Sequence, residues 1–314
     1  MSTESIELTS IIIVTAGVKD YLERCLDSIS KQTHKNLEAF VIDNSHQGLP
    51  KNGLSPRYPF AAFYPGPKNN SYSGSLNKGM KLCRGDFILC LNDDCILDDR
   101  FIEEALKGFC DDKVGMVCGK LLRWDNTTLD STGLFLTFWR TAEERGYGRK
   151  DTGKYRSAGF VFGATGAAAF YRRKMLDEIK EEDYFDNNFG YFYEDLDVAW
   201  RAKRAGWKGY YVPLATARHL RGGTARSQKG QGKPFARRFL SGKLQAELIK
   251  NRYLTIIKNE SFAGFILHLP AVIFYDCLVW GYTFLFNRPA AGRFFRERAC
   301  IKKAMKKRLS GKIN

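Results

Sequence analysis

Residues 8–43, LTSIIIVTAGVKDYLERCLDSISKQTHKNLEAFVID, decide the fold of this chain. Residues 8–15 form a short run rich in β-branched side chains, which is typical of a strand buried on both faces of a parallel sheet. Apolar residues between Val18 and Ile29 keep helical spacing, and residues 37–43 are strand-like again. The stretch therefore predicts a βαβ unit and an α/β fold.

The alternation of strand and helix continues along the chain. Strands are predicted near 61–64, 87–91 and 114–118, and helices near 73–83, 99–109, 173–179 and 194–205, with Gly206 as a C-cap. The regularity fades between 120 and 160 and resumes at 163–171. We expect an open sheet in which the irregular segment is an insertion that faces the substrate.

Composition indicates a globular protein. The 314 residues are 44% hydrophobic and show no repeat of fixed period, which excludes whole-chain disorder, collagen-like and solenoid architectures. The eight cysteines lack CxxC spacing, and several lie in apolar runs, so they are expected to be reduced core residues of a cytosolic protein. The N-terminus shows no secretory signal pattern.

Positive charge is concentrated at the C-terminal end. Residues 1–220 hold 30 Lys plus Arg and 30 Asp plus Glu, whereas residues 221–314 hold 20 and 4, so the whole net charge of +16 lies in the last 94 residues. Such a tail favours a polyanionic partner, either nucleic acid or an anionic membrane surface, although a solvated charge run is the alternative.

The tail also contains an aromatic, apolar segment at 261–286. His268, Pro270 and Asp276 interrupt it, so we expect it to lie in a membrane interface or to fold as a helical hairpin, and a buried core hairpin is the alternative. The many Arg and Lys residues between 288 and 308 favour the membrane surface.

Acidic and amide side chains end two of the predicted strands. Asp43 ends the second strand, and Asn92-Asp93-Asp94 ends a later one, at the sheet edge where α/β proteins bind ligands. A hard cation that bridges a diphosphate needs a carboxylate held at such a strand end, although the same acids also serve as helix caps.

Two further positions are candidates for chemistry. Glu194-Asp195-Leu196-Asp197 opens a predicted helix after an aromatic stretch, where a partly desolvated carboxylate can act as a general base or simply interact with the helix dipole. His219 ends a predicted strand beside a Gly- and Arg-rich loop, where it is either a metal ligand or a structural residue.

These pieces, in this order, resemble family-2 inverting glycosyltransferases of the GT-A fold, particularly the branch with bacterial rhamnosyltransferases. The resemblance covers residues 10–224, about two thirds of the chain. The matching residues are Ser10 to Thr15, Val41 to Asn44, Asn70 to Gly79, Gly85 to Asp94, Gly163-Ala164, Tyr171 to Arg173, Phe185-Asp186, Tyr193 to Asp197, Trp200-Arg201, Ala205-Gly206, Val212-Pro213 and His219.

The resemblance implies roles for site residues. Asp43 looks like the carboxylate that reads the pyrimidine edge, and the nucleotide-sugar pocket would also include Thr15, Ala16, Asn77, Asn92 and Asp93. Asp94 and His219 look like ligands of Mg²⁺ or Mn²⁺. Asp195 is similar to the catalytic base, and Glu194 would position the acceptor or share that task. Many relatives have Asn-Pro-Asp where this chain has Asn92-Asp93-Asp94, and of the two acids we favour Asp94 as the metal ligand.

The resemblance also implies an architecture and a reaction. The expected fold is a Rossmann-like, mixed, mostly parallel sheet flanked by helices, with a basic, hydrophobic helical extension. Residues 1–225 would form the catalytic domain, with a nucleotide-sugar half at 8–119 and an acceptor half at 120–225, and residues 226–314 would associate with the membrane.

The reaction expected is inverting transfer of a sugar from dTDP-L-rhamnose or a UDP-sugar to a lipid-linked or polysaccharide acceptor in cell-surface glycan synthesis. The enzyme would be peripheral on the cytoplasmic face of the membrane, with no nucleic-acid partner and with a homo-oligomer left open. The alternatives are a sugar-1-phosphate nucleotidyltransferase, for which 15–20 is a poor phosphate loop, and a nucleic-acid-binding protein that uses the basic tail.

Overall fold

The computed structural model describes residues 7–45, 48, 54–68, 71–221 and 240–310. The predicted βαβ unit is present as β1 (Thr9–Thr15), α1 (Lys19–Ser30) and β2 (Leu37–Asp43), and β1 and β2 are parallel. Ile11 and Ile13 face one hydrophobic cluster and Ile12 and Val14 face the other. The strand is therefore buried on both faces, as its unbroken β-branched run predicts.

The remaining elements follow in chain order. The strands are β3 (Ala61–Pro65), β4 (Phe87–Asn92), β5 (Cys95–Leu97), β6 (Val114–Leu122), β7 (Leu129–Ser131), β8 (Leu134–Leu136), β9 (Ala142–Glu144), β10 (Gly159–Val161), β11 (Ala168–Arg172) and β12 (Lys208–His219). The helices are α2 (Tyr72–Met80), α3 (Phe101–Leu106), α4 (Arg173–Ile179), α5 (Glu194–Arg204), α6 (Gly242–Asn259), α7 (Phe262–Phe286), α8 (Arg288–Glu297) and α9 (Ala299–Leu309).

The main sheet has the order β10-β12-β6-β11-β4-β1-β2-β3, with β5 paired to β12 and β7 paired to β6. The β4-β1-β2-β3 half is parallel, and β11 runs antiparallel between β4 and β6. Helices pack on both faces of this sheet, because each face carries its own apolar cluster. The expected mixed sheet flanked by helices is confirmed.

Residues 120–160 differ from the expectation of an irregular insertion. The strand β6 runs on to Leu122, and β7, the antiparallel pair β8 and β9, and β10 follow. Each of the last four strands has three residues, which is too short to show an alternation of apolar and polar side chains. The segment is thus ordered: β7 and β10 extend the main sheet, and β8 and β9 form a separate two-stranded sheet.

The expected helical hairpin at 261–286 is wrong. These residues form the single 25-residue helix α7, which contains Pro270. In the described ranges, α7 is the one helix that is long and apolar enough to cross a membrane by length and composition.

The C-terminal region expected from 226 onward packs against the part of the chain before it. Asn251 of α6 donates to the backbone oxygens of Tyr191 and Phe192, at 2.6 and 2.9 Å. Asn259 donates to Asp197 at 2.8 Å. The helix α6 therefore packs against the start of α5 and the residues before it, whereas α7 is mostly exposed. The residues around the boundary itself, 222–239, lie outside those that the structure describes.

Candidate active site

The candidate site is a cavity of about 1110 Å³ at the carboxyl ends of the central strands. Parallel pairing places Thr15 opposite Asp43 and Val14 opposite Asn92, so side chains distant in sequence meet at one sheet edge. The polar residues that line the cavity include Thr15, Asn44, Tyr72, Asn92, Asp93, Asp94, Glu144, Thr165, Glu194, Asp195, His219 and Arg221.

The two adjacent acids at the end of β4 have different partners. The hydroxyl of Thr15 donates to Asp93 Oδ2 at 2.6 Å, which holds Asp93 against the end of β1. Burial raises the pKa of Asp93 to about 6, with a further contribution from Asp94, although the Thr15 hydrogen bond opposes it. Asp94 instead faces His219, whose Nε2 lies 3.2 Å from Asp94 Oδ1. This geometry favours Asp94 over Asp93 as a metal ligand.

His219 is fixed from both sides of its ring. Its Nδ1 lies 2.8 Å from Oδ2 of Asp130, a buried carboxylate on β7. Burial alone lowers the pKa of His219, but the carboxylates of Asp94 and Asp130 outweigh burial and raise this pKa to about 9. Asp130 also accepts a hydrogen bond from Arg221, and its own pKa is held below the usual range despite burial, because Arg221 and His219 stabilise the anion.

The donor atoms at this point suit a hard divalent cation. Ligand atoms of Asp94, Cys95 and His219 lie within 4.8 Å of one another. The Cys95 thiol is fully buried, its pKa is raised well above 9 by burial and by nearby acids, and it lies 3.2 Å from the Ala167 oxygen. A thiol is a soft ligand that hard cations do not favour, so Asp94 and His219 supply the useful pair, and Mg²⁺ and Mn²⁺ accept such oxygen and imidazole ligands.

The second pair of acids, Glu194 and Asp195, opens α5. Phe192 and Tyr193 precede them with φ angles of 70° and 72°, a left-handed conformation that is costly for aromatic side chains. The amides of Gly166 and Leu196 donate to Asp195 at 2.8 and 2.7 Å. The strained turn and these two amides hold the carboxylate at the cavity wall.

Both acids are more basic than ordinary carboxylates. Burial, with repulsion from Asp195, raises the pKa of Glu194 to about 8, and burial also raises the pKa of Asp195. Within the described part of the chain, the buried Oε2 of Glu194 has no hydrogen-bond partner. A carboxylate with a raised pKa at the wall of a cavity is suited to accept a proton from a bound hydroxyl.

The other predicted binding residues have three different settings. Ala16 lines the cavity. The amide oxygen of Asn92 accepts a hydrogen bond from Tyr72 at 2.7 Å. Asp43 lies at the rim, next to the lining residue Asn44, and accepts from the backbone amide of Ser45 at 2.8 Å. Asn92 and Asp43 are thus polar groups placed at the expected edge of the sheet.

The expected role of Asn77 in nucleotide-sugar binding needs a correction. Asn77 is buried inside α2 and is not part of the cavity wall. Its amide nitrogen donates to the Phe185 oxygen at 2.6 Å, and its amide oxygen accepts from the Phe185 nitrogen at 3.0 Å. Because both ends of the amide pair with backbone, Asn77 ties α2 to the segment before α5 instead of contacting a ligand.

Sequence reasoning missed Glu144 as a site residue. Ser131 and Thr165 donate to its two carboxyl oxygens, the latter at 2.8 Å, and the side chain lines the cavity. Burial raises the pKa of Glu144 to about 7, although Arg221 and Ser131 oppose this shift. Glu144 lies on a three-residue strand in the segment without periodicity, and no local pattern distinguishes it from the neighbouring Glu143.

One wall of the cavity comes from the C-terminal helices. Leu244 and Lys243 of α6 and Phe274, Leu278 and Tyr282 of α7 all line it. The rings of Trp139 and Tyr275 stack with centroids 6.2 Å apart and join α7 to the acceptor side. The C-terminal region thus takes part in building the cavity itself.

Comparisons with known proteins agree on one family. Residues 10–180 match the family model "Glycosyl transferase family 2". A curated relative, the "Putative glycosyltransferase EpsH" of Bacillus subtilis (strain 168), is 24% identical over 130 residues, which are 39% of this chain and 37% of that protein.

Solved structures are similar in fold at low sequence identity. GalNAc-T7, solved with UDP, GalNAc and Mn²⁺, superposes with a TM-score of 0.60 at 12% identity over 81% of this chain and 48% of its own. The mannosyltransferase PcManGT from Pyrobaculum calidifontis, solved with GDP-Man and Mn²⁺, has a TM-score of 0.55 at 14% identity over 96% of this chain and 87% of its own. The chain thus spans about a third of the curated relative and half of the first structure. The expected GT-A fold is confirmed.

Proposed function

The chain belongs to glycosyl transferase family 2, and from that premise we propose that it transfers a sugar, with inversion, from a nucleoside-diphosphate donor to a hydroxyl of an acceptor. The observation that carries the proposal is the pairing, in one cavity, of Asp94 and His219 with the basic carboxylates Glu194 and Asp195. The first pair suits a metal-bound diphosphate, and the second suits an attacking hydroxyl.

The donor would lie against the ends of β1, β2 and β4. Thr15, Ala16 and Asn92 would contact it there, and Asp43 would meet the base at the rim. Asp94 and His219 would hold Mg²⁺ or Mn²⁺, which neutralises the charge that grows on the departing diphosphate. The donors we propose are dTDP-L-rhamnose or a UDP-sugar, since UDP, GDP-Man and Mn²⁺ are bound by the solved proteins of this fold.

Asp195 is the proposed general base. It would take the proton of the acceptor hydroxyl while that oxygen forms a bond to the anomeric carbon and the bond from this carbon to the diphosphate breaks. Attack from the face opposite the leaving group in a single step inverts the anomeric centre. Glu194, beside it and without a hydrogen-bond partner for Oε2 among described residues, would position the acceptor hydroxyl.

The acceptor is proposed to be a lipid-linked or polysaccharide hydroxyl in cell-surface glycan synthesis, with the enzyme peripheral on the cytoplasmic face of the membrane. Support comes from the exposed apolar residues of α7 and from α8 and α9, which together hold eight Arg and Lys residues and one acid, Glu297. Apolar insertion and attraction to anionic lipid reinforce one another at such a surface.

Thermal unfolding with dTDP, UDP, GDP and ADP, each with Mn²⁺ or with EDTA, tests the donor site. A ligand that binds only the native state raises its stability, so one nucleotide should raise Tm with Mn²⁺ and not with EDTA. Asp195→Asn should keep that shift and lose about 10² to 10⁴ in turnover, the usual worth of general-base assistance.

Asp112→Asn, at an exposed acid outside the cavity, is the matched control and should keep full turnover. The donor proposal fails if no nucleotide shifts Tm. The assignment of the base fails if Asp195→Asn keeps a near-normal rate.

A further inference from the structure

Polar side chains between His268 and Trp280 join the helix α7 to the rest of the structure. His268 Nδ1 lies 2.8 Å from a guanidinium nitrogen of Arg140, and Asp276 pairs with Arg252 and accepts from Tyr253 at 2.9 Å. Farther along, Trp280 donates to the Tyr253 hydroxyl at 2.9 Å. Breaking these contacts and moving the freed polar side chains into the hydrocarbon of a bilayer would be costly. We therefore expect the helix to stay beside the core and not to cross a membrane.

The outer side of α7 is apolar and open. The large apolar side chains of this helix that are at least half exposed are Phe262, Ile266, Leu267, Ile273, Phe274, Leu278, Phe284, Leu285 and Phe286. A group of exposed apolar side chains of this size marks a site of contact with lipid or with another apolar partner. The basic helices α8 and α9 follow it directly, which matches an anionic bilayer.

The same helix also forms a wall of the catalytic cavity. Leu278 lines the cavity and is still 58% exposed, so the cavity opens onto the apolar outer surface at this point. The aliphatic residues of this wall are Leu240, Leu244, Leu248, Leu278 and Val279. Aliphatic side chains offer no hydrogen bonds to sugar hydroxyls, so this wall suits a hydrocarbon chain better than a glycan.

A cation accompanies the apolar wall. Lys243 of α6 lines the cavity, is exposed, and has its ammonium 5.5 Å from the centre of the Tyr191 ring. In the described ranges, Lys243 forms no ion pair with a carboxylate. A positive charge beside an apolar wall is complementary to a phosphate that carries an alkyl chain.

We propose that this wall is the acceptor subsite for a membrane-borne lipid phosphate or diphosphate, with its chain against Phe274, Leu278 and Tyr282 and its phosphate near Lys243. The inference rests on the proposed function, because it identifies which acceptor class reaches Glu194 and Asp195. Among the acceptors considered above, it selects the lipid-linked one. The chain would enter from the bilayer along α7, and the sugar-accepting hydroxyl would lie deeper in the cavity.

The test measures binding of decyl phosphate to the full-length protein in phosphatidylcholine nanodiscs, with empty nanodiscs subtracted and with EDTA present, so that the phosphate cannot occupy the metal site. Inorganic phosphate and decanol, which each represent one half of decyl phosphate, are measured separately as control ligands. Saturable binding of decyl phosphate should be at least about ten-fold tighter than that of either half, because chain and charge contribute together.

Leu278→Ser should weaken decyl phosphate binding roughly ten-fold, because it removes apolar area from the wall. Ile273→Ser is the matched control, because Ile273 is 54% exposed on the same helix but lies outside the cavity. The affinity of this variant for decyl phosphate should stay within about two-fold of the wild type. Lys243→Gln should remove most of the advantage of decyl phosphate over decanol. Because all three side chains are exposed, none of these variants should impair folding.

Binding no tighter than that of inorganic phosphate would overturn the proposal, as would equal losses in Leu278→Ser and Ile273→Ser. The nucleotide-dependent change in Tm, measured on the same preparation, separates this failure from that of the donor site. A nucleotide shift without decyl phosphate binding would overturn the lipid subsite and favour a polysaccharide acceptor. Decyl phosphate binding that depends on Leu278, without any nucleotide shift, would support the subsite and contradict the proposed donor.

Discussion

Asp130 holds the ring of His219 from behind. Its Oδ2 lies 2.8 Å from Nδ1, and Nε2 on the other side of the ring faces Asp94 at 3.2 Å. A carboxylate in this position fixes the tautomer and the orientation of a histidine ligand and increases its basicity. We expect Asp130 to be a positioning residue that acts on the metal site through His219.

Asp130→Asn is predicted to weaken Mn²⁺ binding by about 10 to 100-fold, since the neutral amide keeps the shape but loses the charge that supports the imidazole. Electron paramagnetic resonance of free Mn²⁺ measures this affinity without any turnover. Asp151→Asn, at an acid of the same segment that pairs with Lys120, is the control and should bind Mn²⁺ like the wild type. An affinity for Mn²⁺ within two-fold of wild type in Asp130→Asn would contradict this role.

At the scale of elements, α5 and α6 are joined by a buried charged cluster. Asp197 of α5 accepts from Arg201 at 2.9 Å and from Asn259 at 2.8 Å, and the ammonium of Lys258 lies 3.5 Å away. Burial raises the pKa of Asp197, but Lys258 and Arg201 outweigh burial and hold it below its ordinary value of 3.8. A helix from the C-terminal region therefore helps to hold the start of α5, where Glu194 and Asp195 lie.

Asp197→Asn is predicted to lower the free energy of unfolding by about 2 to 4 kcal/mol, because the buried Arg201 loses its carboxylate partner and Lys258 keeps only Glu181 and Asp186. Urea unfolding at neutral pH measures the loss, and Asp112→Asn at an exposed site should change it by less than about 0.5 kcal/mol. Since the folded pKa is depressed, the stabilisation is present above the unfolded pKa and disappears as the pH falls below about 4. A loss that does not decrease in acid would contradict this assignment.

At the scale of the whole molecule, charge and apolar surface are segregated. Residues 1–220 are electrically neutral, and the excess of positive charge lies in the C-terminal residues that include α8 and α9. Exposed apolar side chains are concentrated on α7, directly before these two helices. The helix α7 carries both exposed apolar side chains and part of the cavity wall, so the proposed membrane surface lies next to the candidate active site.

Binding to vesicles of phosphatidylcholine and phosphatidylglycerol is predicted to fall by at least about ten-fold when Lys302, Lys303 and Lys306 are together changed to Ser, since each cation near an anionic surface contributes about 1 kcal/mol. Sedimentation at 50 and 300 mM salt measures the binding, and high salt should reduce the difference between variant and wild type. The matched control replaces Lys31, Lys81 and Lys154, which are exposed elsewhere. Equal losses in both triple variants would contradict a localised membrane surface.

The sequence by itself determined those elements and candidate residues that a local pattern of side chains predicts. Hydrophobic runs and helical spacing predicted β1, α1 and β2 because burial on one or two faces imposes those periods. Strand-end position and side-chain chemistry identified Asp94 and His219 as candidates, since the edge of an α/β sheet follows from the strand order. Asp195 was identified as an acid at the start of a predicted helix that follows an aromatic stretch. The three-residue strands between 129 and 161 carry no such period, so they escaped prediction.

Only the tertiary structure decided which of these residues meet. The choice between Asp93 and Asp94 depended on Thr15, 78 residues away, and the support of His219 came from Asp130, 89 residues away. Asn77 shares a motif with the binding residues, yet packing directs it to backbone. Contacts between distant segments depend on strand register and on how helices pack. A local pattern of residues specifies neither the register nor the packing. For the same reason, only the folded chain shows that α7 forms a wall of the cavity.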